Sequence, residues 1–417
     1  MKVLWITNIV LPEAIQLLTG SGELKASGGW LLGAANAILK NNNTLNLSIA
    51  TVSPMVKSLT KLKGKQITYY ILPIGRGNEH VNLEYCKYWK QIETDVRPDV
   101  VHIHGTEFSH GHAYLKVCSA NNVVVSIQGL ISSCYKYYFA GVTICDIYKN
   151  LTLYDILRGS MLRGMLRFKK RGQYEIETLQ MTKHIIGRTS WDRALTWAIN
   201  PNAEYHFCNE TLRPEFYEGE SWEYKKCTRH TIFLSQSGYA IKGLHQVLKA
   251  MPTILKHYPD TKIRVAGYDI TKCSNLYECL RYSGYGRYIK SIIRKSGLQD
   301  KIIFTGNLNG EQMKREYLNA NVFVCPSSIE NSPNSLGEAQ LLGTPCVASY
   351  VGGIPDLMKG NEENIYRFEE VDMLAEKICN IFAHEGKQIN MQKIASDRHN
   401  ANINAENLIK IYNSIRK

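Results

Sequence analysis

The chain has 417 residues, 44% hydrophobic and 21% charged, the balance of a globular protein long enough for two or three domains. No apolar run approaches the roughly 20 residues that a membrane-spanning helix needs. The net charge of +13 favours an acidic partner such as nucleic acid, sugar-nucleotide phosphates or an anionic membrane surface; with no RNA-binding signature among the basic residues, nucleic acid ranks last.

The opening Met1-Lys-Val-Leu-Trp-Ile-Thr7 reads as a buried strand rather than a signal peptide. A helix follows Ser27-Gly-Gly-Trp30 and runs to Leu39. Short apolar runs at 47–52, 67–72, 100–104, 123–127 and 185–187 predict strands between helical segments. That alternation implies a mostly parallel sheet with helices on both faces. The segment 157–171 mixes leucines with six basic residues, and Arg163 and Arg167 lie one helical turn apart. This suits a basic amphipathic helix at a membrane surface.

The pattern breaks from Asn209 to Lys226, where a domain linker is expected. A second alternating series follows, with strands at 230–234, 262–267, 301–306, 322–325 and 346–348. A final helix spans about 401–416. The eleven cysteines lack C-x-x-C spacing, so reduced thiols in a cytoplasmic protein are expected, with neither a zinc ribbon nor a disulfide framework.

Chemistry-bearing residues concentrate in the second series. Glu330 and Glu338 stand eight residues apart. Glu330 follows the apolar run 322–325, and Glu338 lies in a helix that ends at Gly343. Asn334, Ser335 and Leu336 are placed to offer backbone N–H groups at that helix's N-terminus, a natural site for a diphosphate. Pro333, which lacks an N–H, fits the helix start. Lys242 precedes Gly243-Leu244 between a strand and a helix.

The stretch from Ser328 to Ala348 resembles the E-x7-E signature of retaining nucleotide-sugar glycosyltransferases of family four (group 1). The segment 234–244 is similar to that family's G-R-x-x-x-x-K-G-L run. The resemblance covers most of the chain and is strongest from Phe233 to Asp356. It implies a GT-B fold, with two Rossmann-like parallel-sheet domains facing a central cleft. Residues 1–210 would form the acceptor-side domain, joined by a helix at about 401–417 crossing back, and 211–400 the donor-binding domain. It also implies a retaining, metal-independent transfer from a nucleotide-diphosphate sugar to a hydroxyl of a polysaccharide or glycolipid. No cofactor and no metal are expected, and the protein would be cytoplasmic or peripheral at the inner membrane face.

On this resemblance Lys242 grips the diphosphate, Glu330 touches the donor sugar or holds the reacting geometry, and Glu338 accepts from ribose hydroxyls. Gly28 and Gly29 face the phosphates, and His104 in Asp99-Val-Val-His-Ile-His-Gly105 lines the acceptor cleft. His102, His104, His110 and His112 are dense enough to raise a metal reading, which the segment's likeness to the family disfavours. Arg188 either contacts donor or acceptor or pairs with Asp192. Two positions depart from the pattern. Gln128 stands where a histidine usually reaches toward the donor sugar, and the arginine position falls at Gln236 or Ser237. An amide bonds hydroxyls but carries no proton charge. Two alternatives follow: a non-catalytic nucleotide-sugar-binding partner of another transferase, or a nucleotide-sugar epimerase on the same fold.

Overall fold

A computed structural model of the chain describes residues 1–20, 28–73, 83–384 and 389–416. Ser27, named above in the Ser-Gly-Gly-Trp turn, lies outside them. The chain divides into two compact units. The first comprises Met1–Ser133, Lys169–Pro214 and the residues from Arg398 onward; the second comprises Cys134–Phe168 and Glu215–Asp397.

The first unit is built on an eight-stranded sheet. Its strands are β1 (Lys2–Thr7), β2 (Asn46–Ser53), β3 (Thr60–Lys63), β4 (Ile67–Pro73), β5 (Val100–His104), β6 (Val123–Ser126), β7 (His184–Gly187) and β8 (Glu204–Phe207). Their order is β3-β4-β2-β1-β5-β6-β7-β8, parallel except for the β3–β4 pair. The central strands are apolar because both faces are covered. One face packs Trp5, Ile49 and Ile186 with Leu408, Ile411 and Tyr412 of the helix Ala401–Ile415. The other packs Leu4, Val101, Val125 and Ile185 with Trp89 and Tyr114.

The second unit holds a six-stranded parallel sheet of β9 (Thr228–Leu234), β10 (Lys262–Val265), β11 (Ile302–Phe304), β12 (Ala320–Cys325), β13 (Cys346–Ser349) and β14 (Ile365–Tyr366). The order is β11-β10-β9-β12-β13-β14. Its core joins Ile232, Val265 and Val324 to Leu248 and Met251 of the helix Leu244–His257.

Two expectations are corrected. A division at residue 210 assigns 134–168 to the first domain, whereas the structure assigns them to the second unit. The reason is packing: Ala140 and Val142 enter that core. Backbone carbonyls do the rest. Ala140 accepts from His245 Nε2 at 2.8 Å, Tyr137 from Ser328 Oγ at 3.0 Å, and Leu151 from Arg287 at 3.1 Å. The cysteines are not all free thiols either, since Cys273 and Cys279 form a disulfide. The polar stretch read as a linker also contributes packing, because Trp222 donates through Nε1 to the Ala320 carbonyl at 2.7 Å. Among the described residues no helix is long and apolar enough to cross a membrane.

Candidate functional site

In the second unit the backbone decides where Lys242 and Glu330 meet. A short 3-10 turn, Ala240–Lys242, ends at Gly243 with φ 72°, and the helix Leu244–His257 follows. A Cβ on Gly243 would lie 1.7 Å from the Pro326 carbonyl oxygen, so glycine lets the loop after β12 close down on this turn. Ser328 N–H donates to the Ile241 carbonyl at 2.8 Å and fixes that closure. Beyond it, Gly352 has φ 51°, and a Cβ there would lie 1.9 Å from the Glu330 carbonyl oxygen. That oxygen accepts from Gly353 N–H at 3.0 Å.

The outcome is an ion pair, with Lys242 Nζ donating to Glu330 Oε1 at 2.5 Å. Ser327 Oγ donates to the same oxygen at 2.7 Å. The two side chains are 15% and 13% exposed, open enough for a ligand to reach. Burial works against the lysine charge. The Glu330 carboxylate first, then the Tyr239 hydroxyl, outweigh it and hold the ammonium above its ordinary pKa. The ammonium has three N–H donors, so it can hold Glu330 with one and face an anion with the others, without a proton moving.

Four residues beyond Glu330, the helix Asn334–Leu342 begins with Pro333 as its N-cap and no side-chain cap. The Leu336 N–H, expected to be available, already donates to the Pro333 carbonyl at 3.0 Å. Asn334 and Ser335 hold the outermost positions, and Asn334 Oδ1 is buried without a hydrogen-bond partner. Glu338, on the same helix, is buried and accepts from the Tyr317 hydroxyl at 3.3 Å. Gln236 and Ser237 supply no cation; Gln236 is exposed and Ser237 buried.

The first unit gathers a different set. His104, Gln128 and Arg188 line one crevice with Trp30 and Glu210. Glu210 organises it. Its Oε2 pairs with Arg188 at 2.6 Å, and its Oε1 accepts from Gln128 Nε2 at 2.6 Å. Arg188 also donates to the Ile127 carbonyl at 2.7 Å, while its Nε is buried without a partner. The suggested Arg188–Asp192 pairing fails at the guanidinium, because the Asp192 carboxylate instead accepts the Arg188 backbone N–H at 3.0 Å and caps the helix Ser190–Ile199.

The four histidines do not converge on a metal. His102 shares hydrogen bonds with Tyr412 and Ser126, both at 2.6 Å, and burial first, then Arg188, lowers its pKa to about 3. His104 stacks on His102 with centroids 3.7 Å apart; burial, then His102 and Arg188, pushes its pKa well below the ordinary value. Both rings are therefore neutral. Gly28, with φ 80°, caps the helix Gly29–Asn41, which carries Trp30 toward His104 at 6.1 Å.

Sequence reasoning passed over two carboxylates here. Glu210 sat in the stretch taken as linker, and only its neighbours in space reveal it. Glu107 accepts from Gly129 N–H at 3.0 Å and from Asn8 at 3.3 Å. Burial chiefly, with the nearby Glu175 and Glu210 charges, raises its pKa to about 7. Its place directly after the His-Ile-His-Gly-Thr run was the one available signal.

Residues 221–398 match the family model described as glycosyl transferases group 1. An uncharacterized glycosyltransferase of Methanocaldococcus jannaschii is 31% identical over 163 residues, covering 36% of this chain and 37% of that protein. The chain spans less than half the length of the curated relatives it matches. Among solved structures, sucrose-phosphate synthase from Thermosynechococcus elongatus aligns over 99% of this chain and 98% of its own, with a TM-score of 0.70 and 14% identity. Anabaena HepE in complex with UDP and glucose aligns over 99% and 100%, with a TM-score of 0.63 and 13% identity. At such identities the likeness is one of fold. Two parallel-sheet units in this arrangement of strands are the GT-B fold.

Proposed function

We propose, taking as premise that residues 221–398 are a group 1 glycosyl transferase domain, that the protein is a retaining, metal-independent glycosyltransferase. It moves a sugar from a nucleotide-diphosphate donor to a hydroxyl of a polysaccharide or glycolipid acceptor. The observation that carries the reading is the Lys242–Glu330 pair at 2.5 Å, four residues before a helix whose N-terminus has no side-chain cap.

The bond from the anomeric carbon to the diphosphate oxygen breaks, and its electron pair stays on phosphate. Lys242 and the N–H groups of Asn334 and Ser335 stabilise that growing charge. Glu330 orients the donor sugar, and Glu338 holds the ribose beside the Tyr317 hydroxyl. Retention requires the acceptor hydroxyl to arrive on the face the diphosphate leaves, so the departing phosphate oxygen is the base placed to take its proton. His104 belongs on the acceptor side, Gln128 and Arg188 on the side of the donor.

The test is a thermal-shift and donor-hydrolysis screen of UDP-, GDP-, ADP- and TDP-sugars in the presence of EDTA. A donor that raises the melting temperature and is slowly hydrolysed supports the reading and names the base. No stabilisation by any donor overturns it. A second reading, a donor-binding partner without turnover, is favoured by one observation: the Gln128 amide donates to Glu210 instead of standing free. Stabilisation without hydrolysis, even with glycolipid acceptors, selects that reading.

A membrane-bound acceptor fits the surface of the second unit. Ile144, Tyr148, Leu153, Ile156 and Leu157 are exposed there, Leu153 at 68% and Leu157 at 71%. Lys149 lies among them, and Arg158, Arg163 and Arg167 follow in the sequence. Apolar side chains flanked by cations suit the headgroup region of an anionic bilayer. Neutralising Arg163, Arg167, Lys169 and Lys170 is expected to release the protein from phosphatidylserine vesicles in a sedimentation assay; equal binding of the variant rules the membrane role out.

A further inference from the structure

The edge of the first unit's sheet presents a second constellation. Strands β7 and β8 run parallel, with His184 opposite Glu204 and Ile186 opposite His206. Side chains two apart on a strand share a face, so His184, Glu204 and His206 stand together. His184 Nδ1 lies 3.1 Å from His206 Nε2 and 3.3 Å from Glu204 Oε2. The two imidazole centroids are 5.3 Å apart, and the rings are inclined by 30°. Among the described residues this is the group whose ligand atoms all fall within 4.8 Å of one another.

We propose that this is a divalent transition-metal site of the zinc type, formed by His184 Nδ1, Glu204 Oε2 and His206 Nε2. With bonds of about 2.0–2.1 Å, the edges of a tetrahedral coordination sphere measure about 3.3–3.4 Å, close to the two separations measured from His184. The donor set, two imidazoles and one carboxylate, is one that zinc accepts, with water completing the fourth position. Lys183 supports it from outside: its Nζ sits 2.6 Å from Glu204 Oε1, leaving Oε2 turned to the imidazoles. An outer partner of this kind fixes the orientation of a ligating carboxylate. Without a metal, these contacts depend on which ring nitrogens carry protons; a cation satisfies all three atoms together.

The position defines the role. His184 and Glu204 open their strands, whereas Gln128 and Arg188 follow the carboxyl ends of β6 and β7. The metal therefore sits at the far end of the sheet from the polar crevice and takes no part in sugar transfer. β8 is an edge strand held by β7 alone, and a bound ion pins it there. This inference is independent of the proposed function.

The test uses the full chain, stripped with EDTA and desalted, then titrated with Zn²⁺ against a chromophoric chelator. One ion per chain and a raised melting temperature are expected. Glu204→Gln and His206→Ala should each weaken binding at least about tenfold, with the melting temperature of the metal-free protein preserved for Glu204→Gln because that carboxylate is half exposed. Co²⁺ in the same site should give ligand-field bands without thiolate charge transfer. Absence of stoichiometric binding overturns the proposal. Binding undiminished in both variants, or a thiolate band assigning the ion to cysteines, overturns it equally.

Discussion

The Lys242–Glu330 region of the second unit and the His104–Gln128–Arg188 region of the first are both polar and both reach the surface, yet they are held by different means. In the second unit the backbone does the holding: two left-handed glycines let loops approach until carbonyl oxygens block any Cβ. In the first, side chains hold one another, and Glu210 binds Arg188 and Gln128 with its two oxygens. A site set by the backbone leaves its marks as glycines at fixed spacing. A site set by mutual side-chain pairing leaves no such mark.

The contrast can be tested by removing each support in turn. Glu210→Ala should have the largest effect on stability, about 3–5 kcal/mol, because it leaves the buried Arg188 charge uncompensated; denaturant unfolding measures it, and a loss below about 1 kcal/mol means the crevice tolerates a free guanidinium. Gly243→Ala should cost about 2–4 kcal/mol in the same assay, from left-handed strain plus displacement of the Pro326 loop. Lys242→Ala should lower turnover about 100-fold, roughly 2.7 kcal/mol of barrier, in a donor-hydrolysis or transfer assay, and unchanged turnover removes the lysine from the mechanism.

The smallest effect is one of pH. The Glu107 pKa rises from 4.5 to about 7 on folding. Between those values the native state binds more protons than the unfolded one, so this group's contribution to stability falls as pH rises through that window. Glu107→Gln should flatten the profile of unfolding free energy between pH 4.5 and 7; an unaltered profile assigns the slope elsewhere.

Most of the fold could be read from the sequence, and the exceptions share a cause. The strands missed are β3, β8 and β14, which all lie at sheet edges. A central parallel strand is covered on both faces and reads as an apolar run, as in Val100-Val-His-Ile-His104. An edge strand need not be: Thr60-Lys-Leu-Lys63 alternates half-buried with exposed, and Glu204-Tyr-His-Phe207 has no fully buried residue. The last helix, expected at about 401–416, buries Leu408, Ile411, Tyr412 and Ile415, whereas Ile403 is half exposed. In the site, Lys242 and Glu330 were legible from the motif around them. Glu107 and Glu210 were not, since their importance comes from residues distant in sequence.

The hydrogen-bonded chain from Trp5 through Tyr412 to His102 and Ser126 has a consequence for how the protein is made. Trp5 Nε1 and the Tyr412 hydroxyl are 2.8 Å apart in space and 407 residues apart in sequence. A ribosome delivers Trp5 first and Tyr412 almost last among the described residues, after every residue of the second unit has emerged. Until then the face of β1 that Leu408, Ile411 and Tyr412 cover stays bare. In order of synthesis the first unit, although begun earlier, is thus completed after the second, and through that interval it carries an apolar flank that a chaperone would have reason to shield.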